Sequence, residues 1–100
     1  MGDNYFSEVI KKLTIDDISI LAILHDDDAT EVFKAMKASQ VLKASEMTEA
    51  VFRKVIVRLE ATRFIEKTTS SRHTSIYITE FGRSALLVGV QSKMKGDADQ

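Results

Sequence analysis

The chain has 100 residues, which suits one domain, and its 44% hydrophobic and 29% charged residues exclude an intrinsically disordered protein. It has no cysteine, which excludes a disulfide framework and a thiolate metal site and fits a reducing cytoplasm. The longest uninterrupted apolar stretch, Ile20–Leu24, is too short to span a bilayer, and the N-terminus lacks a signal-peptide pattern, so we expect a cytoplasmic protein without membrane association.

The formal net charge of −1 conceals an uneven distribution of charge. Residues 1–38 hold eight acidic and four basic side chains, whereas residues 43–75 hold seven basic and four acidic ones. Charge distribution indicates nucleic-acid binding better than total charge does. The basic segment 43–75 therefore favours a polyanionic partner.

Apolar residues at helical spacing predict two helices in the first quarter of the chain. A first amphipathic helix is expected over 4–12. A second follows Thr14, which with Asp17 forms an S/T-x-x-D start signal, and the acidic run after His25 ends it. These helices, within 1–25, are predicted to flank the remainder of the fold.

The next segment, 30–45, predicts the first half of a helix-turn-helix. Thr30 is expected to cap a helix that carries Val32 and Phe33, and Ser39 is expected to cap a further short helix. The same residues can also form one continuous helix, but a helix-turn-helix requires a break, and Ser39 is the best available cap. Thr48 is the next cap, and it predicts a helix that runs to about Thr62. Its buried stripe is expected to consist of Phe52, Val55, Ile56 and Leu59.

The periodicity then changes from helical to alternating. Residues 64–69 are predicted to form a strand, 70–73 a turn and 74–79 a returning strand rich in β-branched residues. Thr79 can cap a last helix over 80–92, and 95–100 is expected to be a flexible polar tail.

This order of elements predicts a mainly α-helical fold with a small β-hairpin, a winged helix-turn-helix of five or six helices plus a two-stranded wing. The domain is expected to cover 1–94, with a winged core at 30–79 and a C-terminal helix at 80–92.

Three pieces of the chain, in this order, resemble the MarR-like winged-helix regulators and their PadR- and ArsR-like relatives. The first is LKASEMTEAVFRKVIVRLEATRFIEK at 42–67, which resembles a turn, a recognition helix and a first wing strand. Within it lies RLEATRFIEK at 58–67, which is similar to the family pattern R-L-E-x-x-G-h-I-x-[KR], where h is apolar. The third is IYITEFGRSALL at 76–87, which resembles a second wing strand entering a C-terminal helix. The resemblance covers about half of the chain.

Two residues depart from the family pattern. Arg63 stands where relatives favour glycine after the recognition helix, and Glu46 stands where many have glycine in the turn. A left-handed residue other than glycine costs about 1 kcal/mol or more, so we expect the recognition helix to end differently here and the docking geometry to change.

The resemblance implies contacts to DNA from the N-terminal part of the predicted recognition helix. The residues at these positions are Thr48, Glu49, Ala50, Arg53 and Lys54. Arg53 can pair with guanine through two hydrogen bonds, Glu49 can accept one from cytosine, and Lys54 or Arg58 can reach a phosphate. The alternative is that these charges only solvate an outer helix face.

The predicted wing offers a second set of contacts. Lys67 lies at its base, and Arg72 and His73 lie at its tip. The resemblance implies that the basic tip residue, Arg72, enters the minor groove or touches its edge, for which arginine is well suited. The alternative is a polar hairpin turn without a partner.

Other chemistries are disfavoured. A calcium loop that began at Asp26, beside His25, would need glycine at position 31 and glutamate at position 37, where the chain has Glu31 and Lys37. The chain also lacks a G-x-S-x-G motif and a glycine-rich phosphate loop. We therefore predict no enzymatic activity, no cofactor and no metal.

Apolar side chains outside the trihelical core predict a homodimer formed by the N-terminal helices and the C-terminal helix. They are Tyr5, Phe6, Val9, Ile10, Leu13, Leu86, Leu87 and Val90. Two-fold symmetry would place two recognition helices on one face of the duplex, where they would read a roughly palindromic site.

The preferred hypothesis is sequence-specific binding of double-stranded DNA by a dimeric transcriptional regulator, with the recognition helix at about 48–62 in the major groove and the wing at 64–79 at the minor groove. One alternative is a winged-helix protein–protein interaction module without DNA binding, which the acidic segment 1–38 and Glu49 favour. Another is a plasmid or viral segregation or replication protein that binds DNA. The sequence identifies neither the target DNA nor a small-molecule effector.

Overall fold

The computed structural model describes residues 13–69 and 72–98, so the helix predicted over 4–12 lies outside the described residues. The described part has four α-helices, one 3₁₀ helix and one antiparallel sheet. In chain order they are α1 (Ile15–Asp26), the 3₁₀ helix (Val32–Lys34), β1 (Met36–Lys37), α2 (Ala38–Ser45), α3 (Glu49–Ala61), β2 (Ile65–Thr69), β3 (Thr74–Ile78) and α4 (Glu80–Ala98). The winged helix-turn-helix class is confirmed, but the sheet has three strands and not the two expected.

Helix α1 begins at the predicted cap. The Thr14 side chain accepts a hydrogen bond from the Asp17 amide, and the Asp17 side chain accepts one from the Thr14 amide, which forms a capping box. The helix ends where Asp28 takes a left-handed conformation with φ of 59°. The Ala29 amide then donates back to the Leu24 carbonyl, as in a Schellman ending. The carbonyl of Ala29 accepts from the amide of Ile78, which ties this end of α1 to β3.

The prediction of a helix after Thr30 is wrong. Val32–Lys34 form a single 3₁₀ turn, and Met36 and Lys37 form strand β1, which pairs with Ile76 and Ser75 of β3. The Val32 and Phe33 side chains are exposed, so their helical spacing does not mark a buried face. Pairing with a distant strand satisfies the backbone here and overrides the local helical pattern.

The break in the helix-turn-helix is present, but its cap is not Ser39. Helix α2 begins after Lys37, which makes no side-chain capping hydrogen bond, and Ser39 lies inside its first turn. Helix α2 ends at Glu46, which is left-handed with φ of 59°. The predicted cap of α3 is confirmed, since the Thr48 hydroxyl accepts from the Val51 amide at 3.3 Å.

Strand β3 lies in the middle of the sheet, in the order β1-β3-β2. Lys37 pairs with Ser75 on one side of β3, while Thr68 pairs with Ser75 on the other. Since β1 leads directly into α2, and β2 follows α3, the sheet joins the wing to both helices of the helix-turn-helix.

The end of α3 differs from our expectation. Arg63 is left-handed with φ of 67°, the Arg63 amide donates to the Glu60 carbonyl, and the Phe64 amide donates to the Leu59 carbonyl. The helix thus ends in a Schellman motif, whose left-handed position usually carries glycine. Thr79 caps α4 as predicted, because its hydroxyl accepts from the Gly82 amide at 2.9 Å. Helix α4 continues to Ala98, past the predicted end at 92 and into the segment expected to be a tail.

The core lies where α1, α3, α4 and the sheet meet. The stripe predicted on α3 is confirmed, because all four of its members are buried. They pack with Ile20, Leu21, Leu24, Val41, Phe64, Ile65, Ile76, Ile78, Ala85 and Leu86. None of the described helices is long and apolar enough to cross a membrane.

Candidate nucleic-acid interface

The N-terminal turn of α3 presents a polar surface to solvent. The side chains of Glu49 and Arg53 are 75% and 79% exposed, and their charged atoms lie 3.7 Å apart, one helical turn from each other. Thr48 and Ala50 are also exposed. Because Thr48 Oγ1 accepts its hydrogen bond from the Val51 amide, the hydroxyl proton remains able to donate to a ligand.

A cleft of about 400 Å³ separates this turn from the wing. The buried side chains Phe52, Ile56 and Ile76 contribute to its lining. Its polar lining residues are Ser39, Glu49, Arg53, Lys67 and Thr74. Three candidate residues from two elements, Glu49 and Arg53 of α3 and Lys67 of β2, are thus brought together around one concave surface.

The wing carries the remaining candidates. Lys67 Nζ lies 3.3 Å from Glu60 Oε1, so the ion pair attaches the base of the wing to α3. Arg72 and His73 are exposed and lie next to Thr74, whose pairing with Thr69 is the outermost pair of the two strands. The tip residues 70 and 71 lie outside the described residues.

Arg58 does not join the other candidates. Its Nη2 and Nε atoms lie 2.6 Å and 3.1 Å from Oδ1 of Asp17, which is 1% exposed. This guanidinium holds α3 against α1, so its availability for a phosphate contact is reduced. From the sequence, Asp17 is identified only as part of a helix-start signal, and its burial and its pairing with Arg58 are missed. Its burial had a signal, since Asp17 lies three, four and seven residues before buried Ile20, Leu21 and Leu24, on the same helix face.

The outer face of α3 changes character along the helix. Lys54 is exposed, and beside it a shallow surface is formed by Ala50, Arg53, Val57, Arg58 and Ala61. Val57 is 59% exposed. The later turns of α3 therefore expose an apolar side chain, Val57, beside the basic side chains Lys54 and Arg58.

A second exposed apolar surface lies on α4. Leu87 is 63% exposed, and Val88 and Val90 are partly exposed beside it. Leu13 and Leu86, which we expected at a dimer interface, are instead buried in the core. The other predicted interface residues, Tyr5, Phe6, Val9 and Ile10, lie outside the described residues.

The acidic segment at the end of α1 makes local contacts. His25 Nδ1 lies 3.9 Å from Asp26, and Lys34 Nζ lies 3.1 Å from Asp28. Within 13–69 and 72–98, no group of three or more potential ligands is placed to hold a metal ion.

A helix-turn-helix whose second helix and hairpin share one concave surface, lined by Glu49, Arg53 and Lys67, defines a winged-helix protein of the MarR-like class. Solved structures agree. The chain superposes with a TM-score of 0.71 on Bordetella bronchiseptica BpsR, a protein whose DNA binding is regulated by 6-hydroxynicotinic acid, at 25% identity over 85% of this chain and 62% of that one. It superposes with a TM-score of 0.68 on the MarR family transcription regulator SP03579, at 17% identity over 96% of this chain and 65% of that one.

A closer similarity defines the family. The chain is 43% identical over 83 residues to the DNA-binding protein TubR of Priestia megaterium. The aligned residues cover 83% of this chain and 82% of that protein. It also superposes on TubR from Bacillus megaterium pBM400 with a TM-score of 0.80, covering 92% of that chain. No family model matches the sequence. The chain belongs to the TubR family of DNA-binding proteins.

Proposed function

We propose that the chain binds double-stranded DNA sequence-specifically as a dimeric transcriptional regulator, with the N-terminal end of α3 in the major groove and the wing at the adjacent minor groove. The observation that carries this proposal is the shared cleft, which brings Glu49 and Arg53 of α3 to the same surface as Lys67 of the wing. The DNA-binding relatives support a binding role and not a catalytic one. A protein that acts on DNA also fits the expected cytoplasmic location.

The proposed DNA contacts fall into two groups, those to base edges and those to the DNA backbone or groove edge. Arg53 and Glu49 are suited to base edges, because a guanidinium can pair with guanine and a carboxylate can accept from cytosine. Thr48, Ala50, Lys54, Lys67, Arg72 and His73 are proposed to contact the backbone or the groove edge, where they position the protein. We leave Arg58 out of this set because its guanidinium is bound to Asp17.

The subunits are proposed to form a homodimer through the exposed apolar surface of α4 together with the N-terminal segment. Exposed patches of this kind usually mark interfaces. A single winged domain makes few contacts, so a second subunit would add both affinity and site length.

A second candidate role keeps the same DNA contacts. The relative at 43% identity is named for DNA binding alone, whereas the MarR family transcription regulator SP03579 matches at 17%. Segregation or replication of a plasmid or virus therefore remains the alternative use of this surface. A measurement of transcription from a promoter beside the selected site, with and without the protein, separates the two roles. A change in transcription supports the regulator, and no change favours the segregation or replication role.

The test of DNA binding is a salt series. Sites are selected from a pool of random duplexes, and binding to a selected and a scrambled duplex is followed by fluorescence anisotropy. A DNA-binding protein must weaken steeply and linearly in a plot of log affinity against log salt concentration. Absence of binding to either duplex at low salt would contradict the proposal and favour a protein-interaction module.

A further inference from the structure

A charged side chain is buried beneath the recognition helix. Asp17, in the first turn of α1, is 1% exposed, and a carboxylate so placed is stable only when it is paired and hydrogen-bonded. Both of its oxygens are used: Oδ2 accepts from the Thr14 amide at 2.9 Å, and Oδ1 accepts from Arg58. Among the described residues, no buried side-chain polar atom lacks a partner.

The partner of Asp17 is Arg58, which lies at the C-terminal end of α3, opposite the end that carries Glu49 and Arg53. Arg58 lies in the last turn of α3, and besides its two donors to Asp17 its Nη2 lies 3.4 Å from Thr14 Oγ1. The acid sits at a helix N-terminus and the base at a helix C-terminus, so each charge also interacts favourably with its own helix dipole. The pair thereby joins two segments 41 residues apart in the chain.

This contact differs in kind from the packing around it. The apolar side chains of α1 and α3 attract without direction, so they tolerate small rotations and slides of one helix on the other. A guanidinium that donates from two nitrogens to one buried oxygen has a defined orientation. The ion pair is thus suited to set the angle and register of α3 against α1.

We propose that Asp17 and Arg58 are positioning residues for DNA recognition: they fix the recognition helix on α1 and so determine sequence discrimination, without touching DNA. The inference rests on the proposed function. Arg53 lies on the same helix, and its two-pronged contact with a base requires close placement, whereas attraction to phosphates does not. Loss of the pair should therefore reduce discrimination between sequences more than it reduces overall affinity.

The primary test is Asp17→Asn, which keeps the side-chain shape and the acceptor oxygen but removes the charge. Binding to the selected and scrambled duplexes is measured across a salt series. The expected result is a fall of about tenfold or more in the ratio of the two affinities, as for one lost base contact. Binding to the scrambled duplex should be retained with a steeper salt slope, by about one unit, because the released Arg58 can reach a phosphate.

Two further variants and a control complete the test. Arg58→Ala should lower discrimination without lowering the salt slope, and adding Asp17→Asn to it should cause no further loss. Arg58→Lys, which keeps the charge and the half-exposed position, should recover discrimination only in part, since an ammonium lacks the planar fork of arginine. Asp16→Asn removes the same charge from the neighbouring exposed position of α1 and should leave discrimination unchanged.

The outcomes separate this inference from the proposed function. If the wild-type chain binds no duplex, the proposed function fails and the inference falls with it. If the wild type binds and Asp17→Asn keeps full discrimination, the inference alone is overturned. It is also overturned if Arg58→Ala weakens both duplexes equally and lowers the salt slope by about one unit, because Arg58 would then be a phosphate contact.

Discussion

Gly82 packs directly against the backbone carbonyl of Phe64: an ideal Cβ at position 82 would lie 2.0 Å from that oxygen and 2.9 Å from Cγ1 of Ile78. The approach is enforced from the other side by Thr79, whose hydroxyl lies 2.7 Å from the Arg63 carbonyl and accepts from the Gly82 amide. The first turn of α4 is thereby held against the end of α3, at the point where the wing begins.

Gly82→Ala should therefore destabilise the fold, by about 1–3 kcal/mol or more, because backbone and not a flexible side chain must move. Gly89→Ala is the matched control on the same helix: its Cβ would meet Leu13 Cδ1 at an ordinary 3.5 Å. Removing a helical glycine there should stabilise by up to about 1 kcal/mol. Urea unfolding of both variants measures the difference, and equal midpoints would contradict the close approach.

Arg53→Ala should weaken binding to a selected duplex by about 1–3 kcal/mol and relax the preference at one base pair. The reason is the exposed position of Arg53 on the first turns of α3, beside the cleft. Competition against a panel of single-base variants of the site measures the change. An equal loss on every sequence would make Arg53 a phosphate contact instead.

Arg72→Ala should weaken binding to all duplexes and lower the salt slope by about one unit, since one cation at the wing tip is removed. Arg83→Ala, which removes the same charge from an exposed position on α4, is the control and should leave both quantities unchanged. Unchanged affinity and slope in Arg72→Ala would show that the tip does not reach DNA.

The Tyr77 hydroxyl should ionise at a higher pH than an ordinary tyrosine. Its hydroxyl donates to the Glu66 carboxylate on the paired strand, and this hydrogen bond, then burial, then the carboxylate charge raise its pKa above the ordinary 10.0. The pKa of Tyr77 is higher in the folded state than in the unfolded state. The contribution of the Tyr77–Glu66 contact to the stability of the fold is therefore complete below the unfolded-state pKa and is lost as pH rises through the folded-state pKa.

An absorbance titration of tyrosinate measures the shift, with Tyr77→Phe used to subtract the signal of Tyr5. Glu66→Gln should return the pKa of Tyr77 towards its ordinary value because the charge and the strong acceptor are removed. Ionisation of Tyr77 at its ordinary pKa in the folded wild type would contradict the contact.

Leu87→Glu should dissociate the dimer, because a charge would be buried in the proposed α4 interface. Val57→Glu places the same charge on the other exposed apolar surface, on α3, and serves as the comparison. Light scattering over a range of concentrations gives the mass of each variant. Dissociation by Val57→Glu and not by Leu87→Glu would move the interface to the recognition helix.

The helix α3 was predictable because its signals are local. The apolar stripe lies within the thirteen helical residues and the Thr48 cap directly precedes them, and both are confirmed. The strand β1 was not predictable, because its two residues depend on pairing with Ser75 and Ile76 far along the chain. The local pattern after Thr30 favoured a helix, but pairing with β3 overrides that preference and makes Met36 and Lys37 a strand.

The same distinction holds for the candidate site. The positions of Arg53 and Lys67 on a helix and a strand followed from periodicity, and the fold places them at one cleft. Arg58 appeared equivalent to them in the sequence, since nothing near it reveals a partner 41 residues away. The left-handed Arg63 shows a further limit: the cost of a non-glycine residue is small enough for the surrounding hydrogen bonds to offset it.

The three-stranded sheet limits how far Arg72 projects from the anchored part of the fold. The last pair between β1 and β3 joins Lys37 to Ser75, and Ser75 lies only three residues after Arg72. At a strand rise of about 3.3 Å per residue, Arg72 lies about 10 Å beyond this pair, well short of the roughly 34 Å turn of the duplex. In the proposed complex, Arg72 would therefore contact DNA close to its own subunit, and a long protected stretch of DNA would require additional subunits placed side by side.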